Sequence, residues 1–81
     1  MTLFDRLYNY MVLMRVLEGV SNGRLINNYS GPGMFNETCW AIESDSRPMD
    51  VEARAFELGL KGGKIGCHND KAVVYWPLVR N

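Results

Sequence analysis

The sequence predicts an α+β fold: two helices packed on one face of a small, mainly antiparallel sheet, in the order α-β-β-α-β-β. Three observations lead there. Apolar residues recur at steps of three and four near the N-terminus and again between residues 49 and 60, the spacing of helical faces. Short runs of β-favouring residues stand between and after these segments, the strongest being Ala72-Val73-Val74-Tyr75-Trp76. The last two runs are parted only by His68-Asn69-Asp70-Lys71, which reads as a hairpin turn. At 81 residues the chain is one domain, 1–81, because two domains of half this size would each lack a core.

The first helix is expected over residues 2–18. Thr2 and Asp5 form a T-x-x-D start that resembles a capping box. Leu3, Leu7, Tyr10, Met14 and Leu17 define one face, and Phe4, Met11, Leu13 and Val16 widen it. That is more apolar surface than one contact covers, so this helix is expected to meet both the sheet and a second subunit. Gly19 and Ser21-Asn22-Gly23 stop it. Arg24 to Tyr29 follows as an edge strand, then the loop signal Ser30-Gly31-Pro32-Gly33. Glu37 to Glu43 is apolar on both faces, which suits a central strand covered on both sides.

Pro48 opens the second helix, with Ser46 expected as its cap. Its apolar stripe is read as Met49, Ala53, Phe56 and Leu60, with Arg54 and Glu57 turned to solvent. Gly59, Gly62 and Gly63 end it. Lys64 to Cys67 and Ala72 to Trp76 then form the hairpin, closed by Pro77.

Composition excludes several functions. Nine Lys+Arg balance nine Asp+Glu, and the balance also holds within each half of the chain. Nucleic-acid binders usually carry a basic excess, so nucleic acid is not the expected partner. A hydrophobic fraction of 47%, broken throughout by charges, is too apolar for disorder and too interrupted for a membrane span. Two cysteines make no disulfide framework and no signal peptide is evident, so a cytoplasmic location with reduced thiols is expected.

No motif names a reaction. Cys67 and His68 are neighbours, but strand neighbours point to opposite faces, so a small thiol enzyme using Cys67 is a minor alternative. With one histidine and two cysteines, Cys39 and Cys67, a closed metal site is not expected, nor is a cofactor. Asp50 and Glu52 lie where acids favour a helix start, which explains them without catalysis. Lys61-Gly62-Gly63-Lys64 fails as a phosphate loop because Ile65 stands at the hydroxyl position and the loop follows a helix. It is read first as a helix end and second as an anion-binding nest.

The most informative segment is Asn28 to Phe35. A plain connector rarely needs Tyr29, Met34 and Phe35 around a glycine turn. Gly31 and Gly33 allow a ligand close to the backbone. The expected ligand is nucleotide-like, with Tyr29 and Phe35 for stacking and Ser30, Gly31 and Gly33 for hydrogen bonds. Met34 lies beside them, and Arg24, Lys61 and Lys64 are assigned to phosphate. The competing reading folds the aromatics of this loop back into the core.

The run Tyr29-Ser30-Gly31-Pro32-Gly33-Met34-Phe35, then Cys39, then Val73-Val74-Tyr75-Trp76-Pro77, resembles a group of small bacteriophage proteins. That group carries a Tyr-Ser-Gly-Arg-Gly-Met-Tyr-Gly loop, a nearby cysteine and an apolar Tyr-Trp tail. This chain has Pro32, Phe35 and Asn36 in place of the arginine, tyrosine and last glycine. The resemblance implies a phage or prophage accessory protein acting as a counter-defence factor. Combined with the residues, the expectation is a non-enzymatic homo-oligomer that sequesters a nucleotide-like ligand in the host cytoplasm. The alternative is an anti-CRISPR-like inhibitor that binds a bacterial defence complex through the Gly31–Phe35 loop, with Met34 and Phe35 as its anchor.

Overall fold

The computed structural model describes residues 3–77 and 79. Its elements are α1 (Leu3–Glu18), β1 (Arg24–Tyr29), β2 (Cys39–Glu43), α2 (Pro48–Glu57), β3 (Lys64–His68) and β4 (Lys71–Tyr75). The strands form one sheet in the order β1-β2-β4-β3, and every pairing is antiparallel. Val12, Leu13 and Val16 of α1 join Val51 and Ala55 of α2, Ile42 of β2 and Val74 of β4 in one core, with Trp76 among them. Both helices therefore cover the same face of the sheet, giving the α+β class and element order that the sequence predicts.

β2 is central, as expected. Cys39 and Ala41 face one side, fully buried, while Ile42 is buried on the other. The strand starts at Cys39 instead of Glu37 because the preceding residues turn: the Glu37 N–H donates to the Met34 carbonyl at 2.9 Å. β1 is an edge strand, also as expected. The last hairpin is tighter than read, with only Asn69 and Asp70 between β3 and β4. Both have positive φ, 51° and 66°, the left-handed pair that matches hairpin twist and that Asn and Asp tolerate.

The helix faces depart from the sequence reading. On α1 the buried residues are Val12, Leu13 and Val16, with Leu17 half-buried. Leu7, Tyr10 and Met14 of the expected face lie toward solvent, with Phe4 and Met11 beside them. The proposed cap Thr2 and the side chain of Leu3 lie outside the described residues. On α2 the stripe holds only at its end: Leu60 is buried in the core as expected, but within the helix Val51 and Ala55 are buried, while Met49 and Phe56 are 73% and 58% exposed and Ala53 is exposed with them. A ten-residue helix carries two apolar tracks, and spacing alone does not say which one meets the core.

Two end-caps also differ. Arg47 is the N-cap of α2, without a side-chain cap bond, while the Ser46 hydroxyl accepts from the Ser21 N–H at 2.9 Å. Ser46 thus ties the start of α2 to the turn after α1. At the other end Gly59 adopts φ 102°. The Gly59 N–H reaches the Phe56 carbonyl and the Leu60 N–H the Ala55 carbonyl, the paired bonds of a Schellman stop.

Arg54 does not point to solvent. Its guanidinium donates to the Arg15 carbonyl at 2.8 Å and the Val16 carbonyl at 3.3 Å, satisfying the last turn of α1 and placing positive charge at its negative end. Gly19 leaves the room, since a Cβ there would overlap the Arg54 guanidinium. Arg54→Ala is expected to cost about 1.5–3 kcal/mol, the range for hydrogen bonds made by a charged group, read as a lower urea midpoint. An unchanged midpoint would remove this bond from the fold's supports.

Candidate functional site

The sheet face opposite the helices has a core of its own: Ile26, Tyr29, Met34, Cys39, Ala41, Val73 and Tyr75. No helix covers it. Two devices do. The first is curvature: Arg24 to Asn28 on one edge strand line a groove of about 240 Å³ together with His68, the last residue of the other edge strand. Tyr29 fastens that curl. Its hydroxyl donates to the Cys67 carbonyl and accepts from the Cys67 N–H, both at 3.2 Å. Its ring lies 5.0 Å from that of Tyr75 and 6.2 Å from that of His68. Gly66 is required there, because a Cβ would run into the Tyr29 hydroxyl and the Tyr75 ring. Burial raises the Tyr29 hydroxyl above the ordinary tyrosine value, and the Cys67 backbone bond opposes that shift.

The second device is the loop from Ser30 to Thr38. Gly31 sits against the Tyr75 ring, where a Cβ would come within 2.7 Å. The Met34 N–H donates to the Gly31 carbonyl at 3.1 Å, closing a turn with Pro32 and then Gly33 at φ 80°, the residue pair a type II turn favours. Met34 is buried, and its sulfur accepts from the Gly31 N–H at 3.2 Å. The Ser30 hydroxyl donates to the Phe35 carbonyl at 3.2 Å.

Phe35 stands apart from these neighbours. It is 90% exposed and has φ 55° at the second position of the turn from Met34 to Glu37. A bulky side chain is unusual in that backbone region and costs about 1–2 kcal/mol there. A strained, exposed aromatic on a fastened loop is the pattern of a functional residue.

The nine expected site residues therefore divide. Ser30, Gly31, Gly33, Met34 and Phe35 are brought together, but Met34 is buried and supplies no exposed anchor. Tyr29 is buried with its hydroxyl engaged, so its ring is not presented for stacking; it belongs to the core. Lys64 stands opposite Tyr75 in the sheet, at the same end as the loop that packs on that ring. Arg24 begins β1, about 17 Å of strand away from its end, and its guanidinium is 3.5 Å from Glu43. Lys61 holds its ammonium 5.5 Å from the Phe56 ring centroid, in the α2–β3 connection.

Cys39 and Cys67 do not meet, because β4 separates their strands; neither is in a disulfide. Among the described residues no three His, Cys, Asp or Glu side chains gather as a metal site. No described helix is long and apolar enough to cross a membrane. The sequence reading missed the coupling of Tyr29 to Cys67, since nothing in local spacing marks a bond across 38 residues. The signal for Phe35 was available, in the turn residues that leave it no place in a strand.

The chain matches no family model, no curated protein and no solved structure.

Proposed function

We propose that the protein is a non-enzymatic sequestering protein that holds a nucleotide-like ligand against the Phe35 loop, acting as a phage counter-defence factor. The observation that carries this reading is Phe35 itself: 90% exposed and held at φ 55° on a loop fastened by Ser30, Gly31 and Met34. Such preorganisation lowers the ordering cost of binding. The ring offers a stacking surface, which a base can use without any other aromatic. Lys64, opposite Tyr75 in the sheet, is the cation we assign to a phosphate, and a ligand can approach the backbone at Gly33, where a Cβ would meet nothing within 4 Å. Sequestration requires no turnover, so it needs no catalytic constellation.

A thermal-shift series with mono-, di- and cyclic nucleotides tests the reading. A ligand at about 100 times its Kd stabilises by roughly 2.7 kcal/mol. Phe35→Gly is expected to remove that shift and, by relieving the strained φ, to leave the unliganded protein unchanged or up to about 1 kcal/mol more stable. No shift with any nucleotide removes the ligand class.

One observation favours a second reading. Phe35 is 90% exposed, so the ring projects from the surface as an anchor for a pocket on a partner protein would. An inhibitor of a bacterial defence complex would use it so. That reading predicts complex formation abolished by Phe35→Gly in a protein indifferent to nucleotides.

A further inference from the structure

Helix α1 is apolar around most of its circumference, and its fold uses only part of it. Val12, Leu13 and Val16 face the core. Across the helix from them lie Phe4, Leu7, Met11 and Met14, exposed by 77%, 56%, 64% and 40%. Their spacing of three, four and three is that of the a and d positions of a heptad repeat, the seam of a coiled coil. No charged residue interrupts the seam from Phe4 to Met14. Tyr8 and Tyr10 flank it, and both are exposed in part. A helix apolar on two sides is normally buried on two sides.

We propose that this seam is the contact surface of a twofold dimer, in which α1 of one copy packs along α1 of another. Area favours a second copy as the occupant. The exposed parts of Phe4, Leu7, Tyr8, Tyr10, Met11 and Met14 amount to on the order of 700 Å², close to the roughly 800 Å² that each partner contributes to a stable interface. Charge favours it as well. A helix that lies on a membrane carries an excess of Lys and Arg on its polar side, whereas α1 has Arg6 and Arg15 against Asp5 and Glu18. A seam without charge sets no like charges against each other when the same patch meets itself across a twofold axis. The seam lies on the helical layer, and Phe35 lies on the far side of the sheet, so the dimer and the ligand reading stand or fall separately.

Sedimentation equilibrium across a wide concentration range tests the proposal, with far-UV circular dichroism to establish that each variant is folded. The wild-type chain is expected to sediment as a dimer. Met11→Lys and, separately, Leu7→Glu are expected to raise the dimer dissociation constant by at least about 100-fold with helix content unchanged, because both side chains are solvent-facing in the single copy. Arg6→Glu, off the seam, is expected to leave association unaltered. A wild-type chain that stays monomeric overturns the proposal. So does an assembly that survives both seam variants, or a monomer that floats with vesicles of phosphatidylglycerol and phosphatidylethanolamine through the same residues.

Discussion

Replacing Trp76 by alanine is expected to abolish the cooperative unfolding transition. The ring is 1% exposed and lies among Val12, Leu13, Val16, Val51 and Val74, where both helices meet the sheet. Its indole N–H has no hydrogen-bond partner among the described residues, so what the ring supplies is packing. Deleting a buried tryptophan costs about 3–5 kcal/mol. A single core in a chain this short supplies about the same amount in total. The backbone there is tied independently of the side chain: the Trp76 N–H donates to the Trp40 carbonyl, and the Trp40 N–H to the Val79 carbonyl, each at 3.2 Å. These bonds seat the end of the described chain along β2. Urea melts followed by circular dichroism check the result. A variant that keeps a sharp transition with most of its midpoint would show that the helical core does not depend on this ring.

Tyr29→Phe is expected to destabilise the fold well beyond what the loss of one oxygen atom suggests. The hydroxyl serves both the N–H and the carbonyl of Cys67, and β3 has no further strand on that edge. Losing it leaves two strand-edge groups without that partner, for about 1–3 kcal/mol, or a fall in Tm of roughly 4–8 °C per kcal/mol in a domain of this size. An unaltered Tm would mean that curvature of the sheet does not rest on this bond. The same residue sets an alkaline limit. Its ionisation lies above the ordinary value of 10.0, first because burial opposes the charged form. A value raised on folding means that the neutral form is the one the fold prefers. The stability it contributes is therefore complete below about pH 10 and is lost as pH rises through the folded-state value. Wild type is expected to lose stability over that window, and Tyr29→Phe to lack that component of the loss.

The order of elements was legible because it depends on local signals. Apolar spacing, Gly59, the Asn69-Asp70 turn and the β-rich run from Ala72 each act over a few residues. The candidate site was legible in part. Pro32 and Gly33 announce a turn, so Phe35 had to lie in a loop. Whether the aromatics of that segment turn inward or outward was a different question. Tyr29 went in because Gly66 left space and Cys67 offered bonds; Phe35 stayed out because the turn at Met34 to Glu37 directs it away. Within the helix the α2 stripe was misassigned for a related reason, although Leu60 beyond its end is buried as expected. Met49, Ala53 and Phe56 satisfy helical spacing as well as Val51 and Ala55 do, and only the position of α1 and Arg54 decides between them.

By itself, the sequence determined that this neutral chain of 81 residues makes two helices and a small antiparallel sheet, with an aromatic-bearing glycine loop between the first two strands. Tertiary structure alone decided which apolar face of each helix is buried, which aromatic of the loop is presented, and that a tyrosine closes the curled sheet onto Cys67. The physical reason is range. Turn chemistry and periodicity are set by neighbours in the chain, whereas burial of one face over another is set by contacts between residues tens of positions apart.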